Sequence, residues 1–451
     1  MNMIFLYSFL DITVMVGQLI LALAILIVLH EGGHYITARW FGIKVEKFYL
    51  FFDAWGKKLF SFKKGDTEYG VGWLPLGGYV KIAGMIDESM DKEQMNEEPK
   101  EWEFRTKPAW QRLIVMLGGV VVNLILGIVI FWFMTAYYGD SEMPIEKANE
   151  LGINALSFGE EVGFKDNDKL VSLNGNKLIN FGDIRNVSEI LEDEVIYGIE
   201  RDGVQMDLKM PSDFISQLGD KRKEFLSYKY KFKVGTLSTD VLNAKEAGLV
   251  TGDKIIEING EEILTYEDFS ESLKPDLDLD LVVLRGTDSL NLKGKTDANG
   301  KLGFNVDISE TDEFLVKKTY GFWESLPIGY SRGVQTISDQ IKGFKAMIDG
   351  KINARKSLMG PIQLATVFGS EWNWHRFWQL TGLFSLVLAF MNLLPIPGLD
   401  GGHAVFCTVE MLTGKTLSDK WMMYVQTAGM VILLSLMVFI FGNDILRLLG
   451  I

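Results

Sequence analysis

His30, Glu31 and His34 form a His-Glu-x-x-His pattern at the end of a long apolar run. On a helix this spacing puts two imidazoles four residues apart on one face, where they can hold one zinc ion. Glu31 lies beside them, placed to take a proton from an attacking water. The stretch before the motif, Ile12 to Leu29, has no charged residue and reads as a membrane span. Metal-binding and ionisable groups at membrane depth are costly, so their presence there points to function.

A catalytic zinc site usually takes three protein ligands and keeps one position open. The chain has four histidines, His30, His34, His375 and His403. His375 adjoins Arg376 at the far edge of a later apolar run, away from the motif. The remaining candidates lie between Asn392 and His403, where Pro395, Pro397, Gly398, Gly401 and Gly402 break helical structure. Irregular backbone at membrane depth is tolerated where it lines a cavity or is buried in protein. Asp400 can supply a carboxylate oxygen, and His403 is the competing ligand. The other reading of this segment is a plain turn out of the membrane, with Asp400 as a helix cap.

Spans must position these residues. Four stretches are long enough to cross a bilayer: Ile12 to about Ala38, Leu113 to about Tyr137, Phe377 to about Leu394, and Trp421 to about Phe441. Trp40, Trp110, Tyr137, Trp374 and Trp421 fall near their ends, as interfacial belts do. Arg39, Lys44 and Lys47 follow the first span, Arg105, Lys107 and Arg112 precede the second, and no Lys or Arg precedes the first. The loop between these spans is therefore expected in the cytoplasm, with both termini outside. Spans one and three then run in the same direction. Their far ends, the His-Glu motif and the Asp400 segment, reach one depth near the cytoplasmic face. The first apolar run lacks a basic flank and a small-residue cleavage site, so it is expected to be retained and not removed as a signal peptide.

The 451 residues are 48% hydrophobic and 23% charged, a mixture that suits membrane spans joined to polar domains. A formal net charge of -14 argues against a nucleic-acid partner. Cys407 is the single cysteine, so no internal disulfide can form. After the first span, Val45 to Phe52, Lys58 to Phe62, Thr67 to Trp73 and Tyr79 to Ile82 alternate in the manner of a small antiparallel sheet. An acidic run, Asp87 to Glu103, follows as a solvated surface segment. Farther on the chain repeats itself. Gly163-Phe164, Asp168 and Asn174-Gly175 recur as Gly248-Leu249, Asp253 and Asn259-Gly260, an offset of about 85 residues. That is the size of a small domain, and each Asn-Gly marks a hairpin. Tyr320 to Ile348 has apolar residues near helical spacing and reads as an interfacial amphipathic helix or a plain connecting one.

These residues resemble the site-2 protease family of intramembrane zinc metalloproteases, in its bacterial branch with tandem PDZ domains. The likeness covers nearly the whole chain. His30-Glu31-x-x-His34 is similar to the family's first motif, and Asn392-x-x-Pro395-x-Pro397-x-Leu399-Asp400-Gly401 to its more specific second. Pro75-Leu76-Gly77-Gly78-Tyr79-Val80-Lys81 resembles its membrane-associated β-loop, Gly119-x-x-x-Asn123 its second-span motif, and Ser357 to Ile362 the segment before its third span. Val120 stands where the family often has Pro.

The resemblance implies zinc ligands at His30, His34 and Asp400, Glu31 as catalytic base, and Asn392, Pro397, Gly77 and Gly78 as substrate-binding residues. It implies an α-helical integral membrane protein of four spans with a small membrane-associated β-sheet and two inserted α+β PDZ-like domains. The expected division is 1–40 for the first span, 41–112 for the cytoplasmic β-loop region and 113–138 for the second span. PDZ-like domains follow at 140–225 and 228–310, then an amphipathic connecting region at 311–374 and the last two spans at 375–451. The first PDZ-like copy is degenerate, with Asn167-Asp168 where the second has Gly252-Asp253, and is expected to bind peptides poorly or not at all.

The expected activity is zinc-assisted hydrolysis of peptide bonds within transmembrane segments of single-span proteins, in a bacterial cytoplasmic membrane. The active site would face the cytoplasm, and the periplasmic PDZ-like domains would take extracytoplasmic peptide or protein ligands. An anti-sigma factor and remnant signal peptides are both open as substrates. The alternatives are a membrane-anchored PDZ scaffold with a structural zinc site, and an ion transporter. Structural zinc usually takes four ligands rich in Cys, which this chain lacks. A transporter should spread ionisable groups through its spans, whereas here they concentrate at one constellation.

Overall fold

The computed structural model describes residues 8–75, 77–85, 98–221, 224–415 and 418–449. Leu76 of the expected β-loop and residues 87–97 of the acidic run lie outside the described residues. The chain divides into two units, Met1–Gly139 with Thr319–Lys345 and Asn353–Ile451, and Asp140–Lys318 with Ala346–Ile352.

The first unit is mainly helical. Helix α1 (Phe9–Trp40) starts at Ser8, whose hydroxyl accepts from the Asp11 N–H while the Asp11 carboxylate accepts from the Ser8 N–H. Its 32 residues span about 48 Å at 1.5 Å per residue, more than a bilayer's hydrocarbon core. Then come α2 (Ala109–Tyr138), α3 (Ser325–Ile348), α4 (Pro361–Phe368), α5 (Trp374–Leu393), α6 (Asp400–Thr413) and α7 (Asp419–Leu449). Among the described residues three helices are long and apolar enough to cross a membrane: α1, α2 and the Trp421–Arg447 part of α7. The expected third span corresponds to α5, whose 20 residues include His375, Arg376 and Asn392, and these thin its apolar content.

Helix α2 packs against α1, α5 and α6. Small residues allow the approach, as in membrane helix pairs generally. Gly33 of α1 faces the Gly118 backbone of α2 so closely that a side chain on either would collide. Gly127 of α2 fits against Leu386 and Gly382 of α5 in the same way. Helix α4 fills the far side of α1, with Ala365 and Phe368 packed on Met15, Leu19 and Ala22.

Between α1 and α2 lie β1 (Val45–Leu50), β2 (Lys58–Lys64), β3 (Thr67–Gly72) and β4 (Tyr79–Ile82), in the order β2-β3-β1-β4. The sheet is mixed, which corrects the antiparallel reading: β1 and β3 run parallel, with Lys47 opposite Glu68. Alternation of side chains reports the pleat of each strand and says nothing of its neighbour's direction. The connection after β1 bends sharply, with Phe51 and Trp55 at φ 64° and 56°. It carries the chain to the outer edge before β3 returns beside β1. Strand β4 pairs only with β1, so its other edge is open among the described residues.

The second unit contains two separate apolar cores. One gathers Phe158, Phe164, Tyr197, Phe214 and Phe225, the other Phe232, Val234, Ile255, Phe269 and Val283. The first core is covered by β5 (Lys169–Leu173), β6 (Asn176–Lys177), β7 (Ile196–Arg201) and β8 (Val204–Lys209), in the order β8-β7-β5-β6. The second is covered by β9 (Lys254–Ile258), β10 (Glu261–Glu262), β11 (Asp278–Arg285) and β12 (Asp288–Lys295), in the matching order β12-β11-β9-β10.

The repeated residues hold repeated contacts. Asn174 and Asn259 both sit at φ 51° in the hairpin turns. Each side-chain amide accepts from a neighbouring backbone N–H, of Ile196 and Asp280 respectively, at 2.8 Å. Asp168 is clamped by Arg201 through two bonds of 2.7 Å, and Asp253 by Arg285 through two of 2.8 Å. Neither arginine was singled out from the sequence, although each ends a strand just before a Gly-containing turn. The Asn167 departure leaves the backbone path intact. Asn167 takes φ 65° where Gly252 takes 94°, the left-handed region that Asn tolerates better than other side-chain-bearing residues.

Candidate metal centre

The α1 helix carries His30 and His34 onto the face that meets α2 and the start of α6. Asp400 is the first residue of α6, after the turn that follows α5. Its Oδ2 lies 3.2 Å from His30 Nε2 and 3.3 Å from His34 Nε2. The two Nε2 atoms are themselves 3.3 Å apart. Three donor atoms from three side chains thus converge within 4.8 Å, the one such group of metal-capable residues among the described residues.

The donors suit a zinc ion. Two imidazole nitrogens and one carboxylate oxygen form a known three-ligand set, which leaves a fourth position for substrate or water. Asp400 Oδ2 is buried with no hydrogen-bond partner among the described residues, an unfilled acceptor facing two histidines. A buried acceptor left unfilled is costly, and a cation there would satisfy it. Asp400 is not the helix cap, because the cap position falls to Leu399 and Asp400 is the first residue inside the helix.

Both imidazoles are held through their other nitrogens. His34 Nδ1 donates to the Val115 carbonyl of α2 at 2.8 Å. His30 Nδ1 lies 3.2 Å from the side-chain amide of Asn123, also on α2. The amide nitrogen of Asn123 stands at that position and its oxygen is unpartnered among the described residues. With His30 Nε2 turned to the donor cluster as a lone pair, Nδ1 carries the proton, so the flipped amide, presenting its oxygen, is the consistent partner. Ser385 Oγ of α5 donates to the Asn123 carbonyl at 2.6 Å and fixes that part of α2. Gly119 makes room for the rings. A methyl group there would stand 2.5 Å from His34 Nε2 and 2.6 Å from His30 Cε1. The Gly119-x-x-x-Asn123 pattern was noted as a likeness, but the support these residues give to the histidines was not foreseen.

A cavity of about 640 Å³ opens beside the cluster. His30, Glu31, His34 and Asp400 line it, together with Asn392, Gly77 and Gly78. Asn392 Nδ2 is 3.3 Å from His30 Nε2. A Cβ on Gly78 would stand 2.5 Å from Ile27 Cγ2 and 2.7 Å from the Tyr49 carbonyl, with Glu31 Cγ in ordinary contact at 3.6 Å. The residues of β4 form one wall of the cavity. Of the sequence-selected residues, Pro397 is not among the lining residues. It instead packs against Gly429 of α7 and shapes the turn that delivers Asp400. His403 lines the cavity but does not belong to the three-donor group, while His375 meets Tyr138 edge to face with ring centroids 4.5 Å apart.

Residues 18–436 match the model of peptidase family M50. The chain is 30% identical to the regulator of sigma E protease of Haemophilus influenzae, over 96% of this chain and 98% of that one. It is 26% identical to proteins named as zinc metalloproteases in Neisseria meningitidis and in Xylella fastidiosa. The first comparison covers 96% of this chain and 98% of the relative, the second 97% and 99%.

Proposed function

The chain belongs to peptidase family M50 and is a zinc metalloprotease of the membrane, and from that premise we propose that it hydrolyses peptide bonds within the transmembrane segments of single-span proteins. One observation carries the reading: Glu31 and the His30, His34 and Asp400 donors line one cavity that is walled by apolar helices and by the open edge of a β-strand.

In this reading His30, His34 and Asp400 hold the metal. Bound zinc supplies a Lewis acid for the scissile carbonyl and acidifies water. Glu31 takes the proton from the attacking water and passes it to the leaving amine. A transmembrane helix hides its peptide bonds in its own hydrogen bonds, so the substrate must unwind before attack. Its freed backbone groups then need partners in a place with little water. The open edge of β4 offers them by strand addition, beginning at Gly77 and Gly78. Asn392, beside His30, holds the opposite side of the extended segment.

The finer arrangement follows the same argument. Helix α5 acts as a fourth span, the cavity opens near the cytoplasmic face of a bacterial inner membrane, and residues 140–225 and 228–310 act outside as PDZ-like modules for extracytoplasmic peptides. Asn167 and Gly252 share the left-handed region, at φ 65° and 94°, which supports a common fold for the two copies, with the degenerate first copy the poorer peptide binder.

The test is cleavage of a model single-span substrate by the purified full chain, with zinc measured in the same samples. Glu31→Gln should lower turnover by about 10²–10⁴-fold, the usual contribution of a positioned general base, at unchanged zinc content. Retained turnover, or loss of zinc in this variant, would exclude Glu31 as the base.

A further inference from the structure

The wall of the cavity formed by α7 carries a polar group that the mechanism above does not use. Gln426 lies in the first third of α7, among the apolar residues of its Trp421–Arg447 part, and is only 4% exposed. It lines the same cavity as His30, Glu31 and Asp400. Its amide oxygen is buried with no hydrogen-bond partner among the described residues.

The placement follows from how α7 meets the Asp400 turn. Gly429, three residues on, is pressed against the Pro397 carbonyl so closely that no side chain would fit there. Leu433, a further turn on, approaches Gly398. Residues spaced by three and four share one face of a helix, so Gln426, Gly429 and Leu433 form a single stripe. The lower two positions seat the stripe on the turn. Gln426 continues it into the cavity beside Gly398, Leu399 and Asp400.

An unfilled amide oxygen in such surroundings carries a desolvation cost, and a leucine or methionine at this position would carry no such cost. A glutamine amide presents one acceptor group and two N–H donors. That set matches the N–H and C=O of a peptide group. The only strand edge bordering the cavity among the described residues, β4, can satisfy one side of an extended chain. The groups on its other side point away from that edge and need separate partners, of which Asn392 beside His30 can meet only some.

We propose that Gln426 is a substrate-binding residue whose side-chain amide pairs with the backbone of the unwound segment, on the side that β4 does not reach. The proposal rests on the reading of the chain as an intramembrane protease and adds a contact from α7 to it. It also gives a reason for the seating of α7 on the Pro397 turn, since the same stripe then fixes the distance between the bound backbone and Asp400.

The experiment compares the wild-type full chain with Gln426→Leu and Gln426→Met on a single-span substrate, recording kcat, KM, zinc content and thermal midpoint. The expected result is a 10–100-fold fall in kcat/KM, carried mainly by KM, with zinc content unchanged and the thermal midpoint equal or higher. A midpoint that does not fall separates substrate binding from a packing role, because a structural hydrogen bond would be lost with its stability. Unchanged kinetics in both variants overturn the proposal. So does loss of zinc or a lowered midpoint in both, which would assign the amide to the fold. If the wild-type chain itself cuts no spanning substrate, the protease reading falls along with this one. If the wild type cuts and Glu31→Gln does not, while both Gln426 variants cut normally, only the Gln426 proposal fails.

Discussion

Asp400 of the helical unit and Asp168 and Asp253 of the duplicated unit are all carboxylates withdrawn from water, and their surroundings differ in kind. Asp168 and Asp253 are 1% and 0% exposed, and both are fully engaged. Each receives an arginine fork and a backbone N–H, from Lys165 at 2.8 Å and from Val250 at 2.9 Å. The same arginines also donate to the carbonyls of Gly163 and Gly248. Asp400 has no arginine. Its Oδ2 faces two imidazole nitrogens and no hydrogen-bond donor is assigned to it. The lesson is that burial alone does not mark a site. A buried carboxylate whose acceptors are filled by fixed donors ties chain segments together. One whose acceptor points at other lone pairs is complete only with a cation.

The sharpest way to break this comparison is to remove the carboxylates one at a time. Asp400→Ala should strip zinc and abolish cleavage together, by well over the ~100-fold that loss of a supporting residue costs. His403→Ala should leave zinc in place. Metal analysis giving the reverse pattern would move the third ligand to His403.

Next in size is the support behind the histidines. Gly119→Ala places a methyl group against both rings, so zinc affinity should fall by about 10–100-fold while the helices remain folded. Competition with a chelator measures it, and an unchanged affinity would mean that α1 and α2 can separate without cost.

A smaller effect is expected on the duplicated unit. Arg201→Ala leaves the Asp168 carboxylate buried without its partner and should destabilise that repeat by about 2–3 kcal/mol. Amide exchange of residues 145–226 reads the change, with zinc content unaffected. If zinc content changes as well, the two kinds of carboxylate are not independent.

The smallest effect is a pH dependence. Hydrogen bonds from Arg285 hold the Asp253 carboxyl below its ordinary value, against the opposing effect of burial. A depressed folded value means that the stabilisation is fully present above the unfolded value of about 3.9 and is lost as pH falls through the folded one. Exchange in residues 232–304 should therefore be flat from pH 7 to about 5 and accelerate only under stronger acid. Asp253→Asn should remove that acid dependence. A transition near neutral pH would assign the linkage to another group.

Much of this molecule can be read from local pattern. The His-Glu-x-x-His spacing survives because a helix places positions four apart on one face whatever surrounds it. The Asn-Gly hairpins survive because their backbone angles are a property of those two residues. Long apolar runs likewise give α1, α2 and α7 directly. The β1–β3 pairing was not legible, since the parallel course depends on where the 51–57 connection leads. The arginine clamps were missed because their partners are 33 and 32 residues away, at the ends of strands with no motif of their own.

The sequence by itself determined two imidazoles and a carboxylate next to them, a glycine- and proline-rich turn carrying Asp400, and a duplicated segment. Only the tertiary structure brings Asp400, and not His403, within reach of the two imidazoles, because that depends on how closely α1, α2 and α6 approach. Gly33, Gly118 and Gly119 set that approach by what they lack. A missing side chain has no periodicity to read, and its effect exists only when another backbone arrives in the space it leaves.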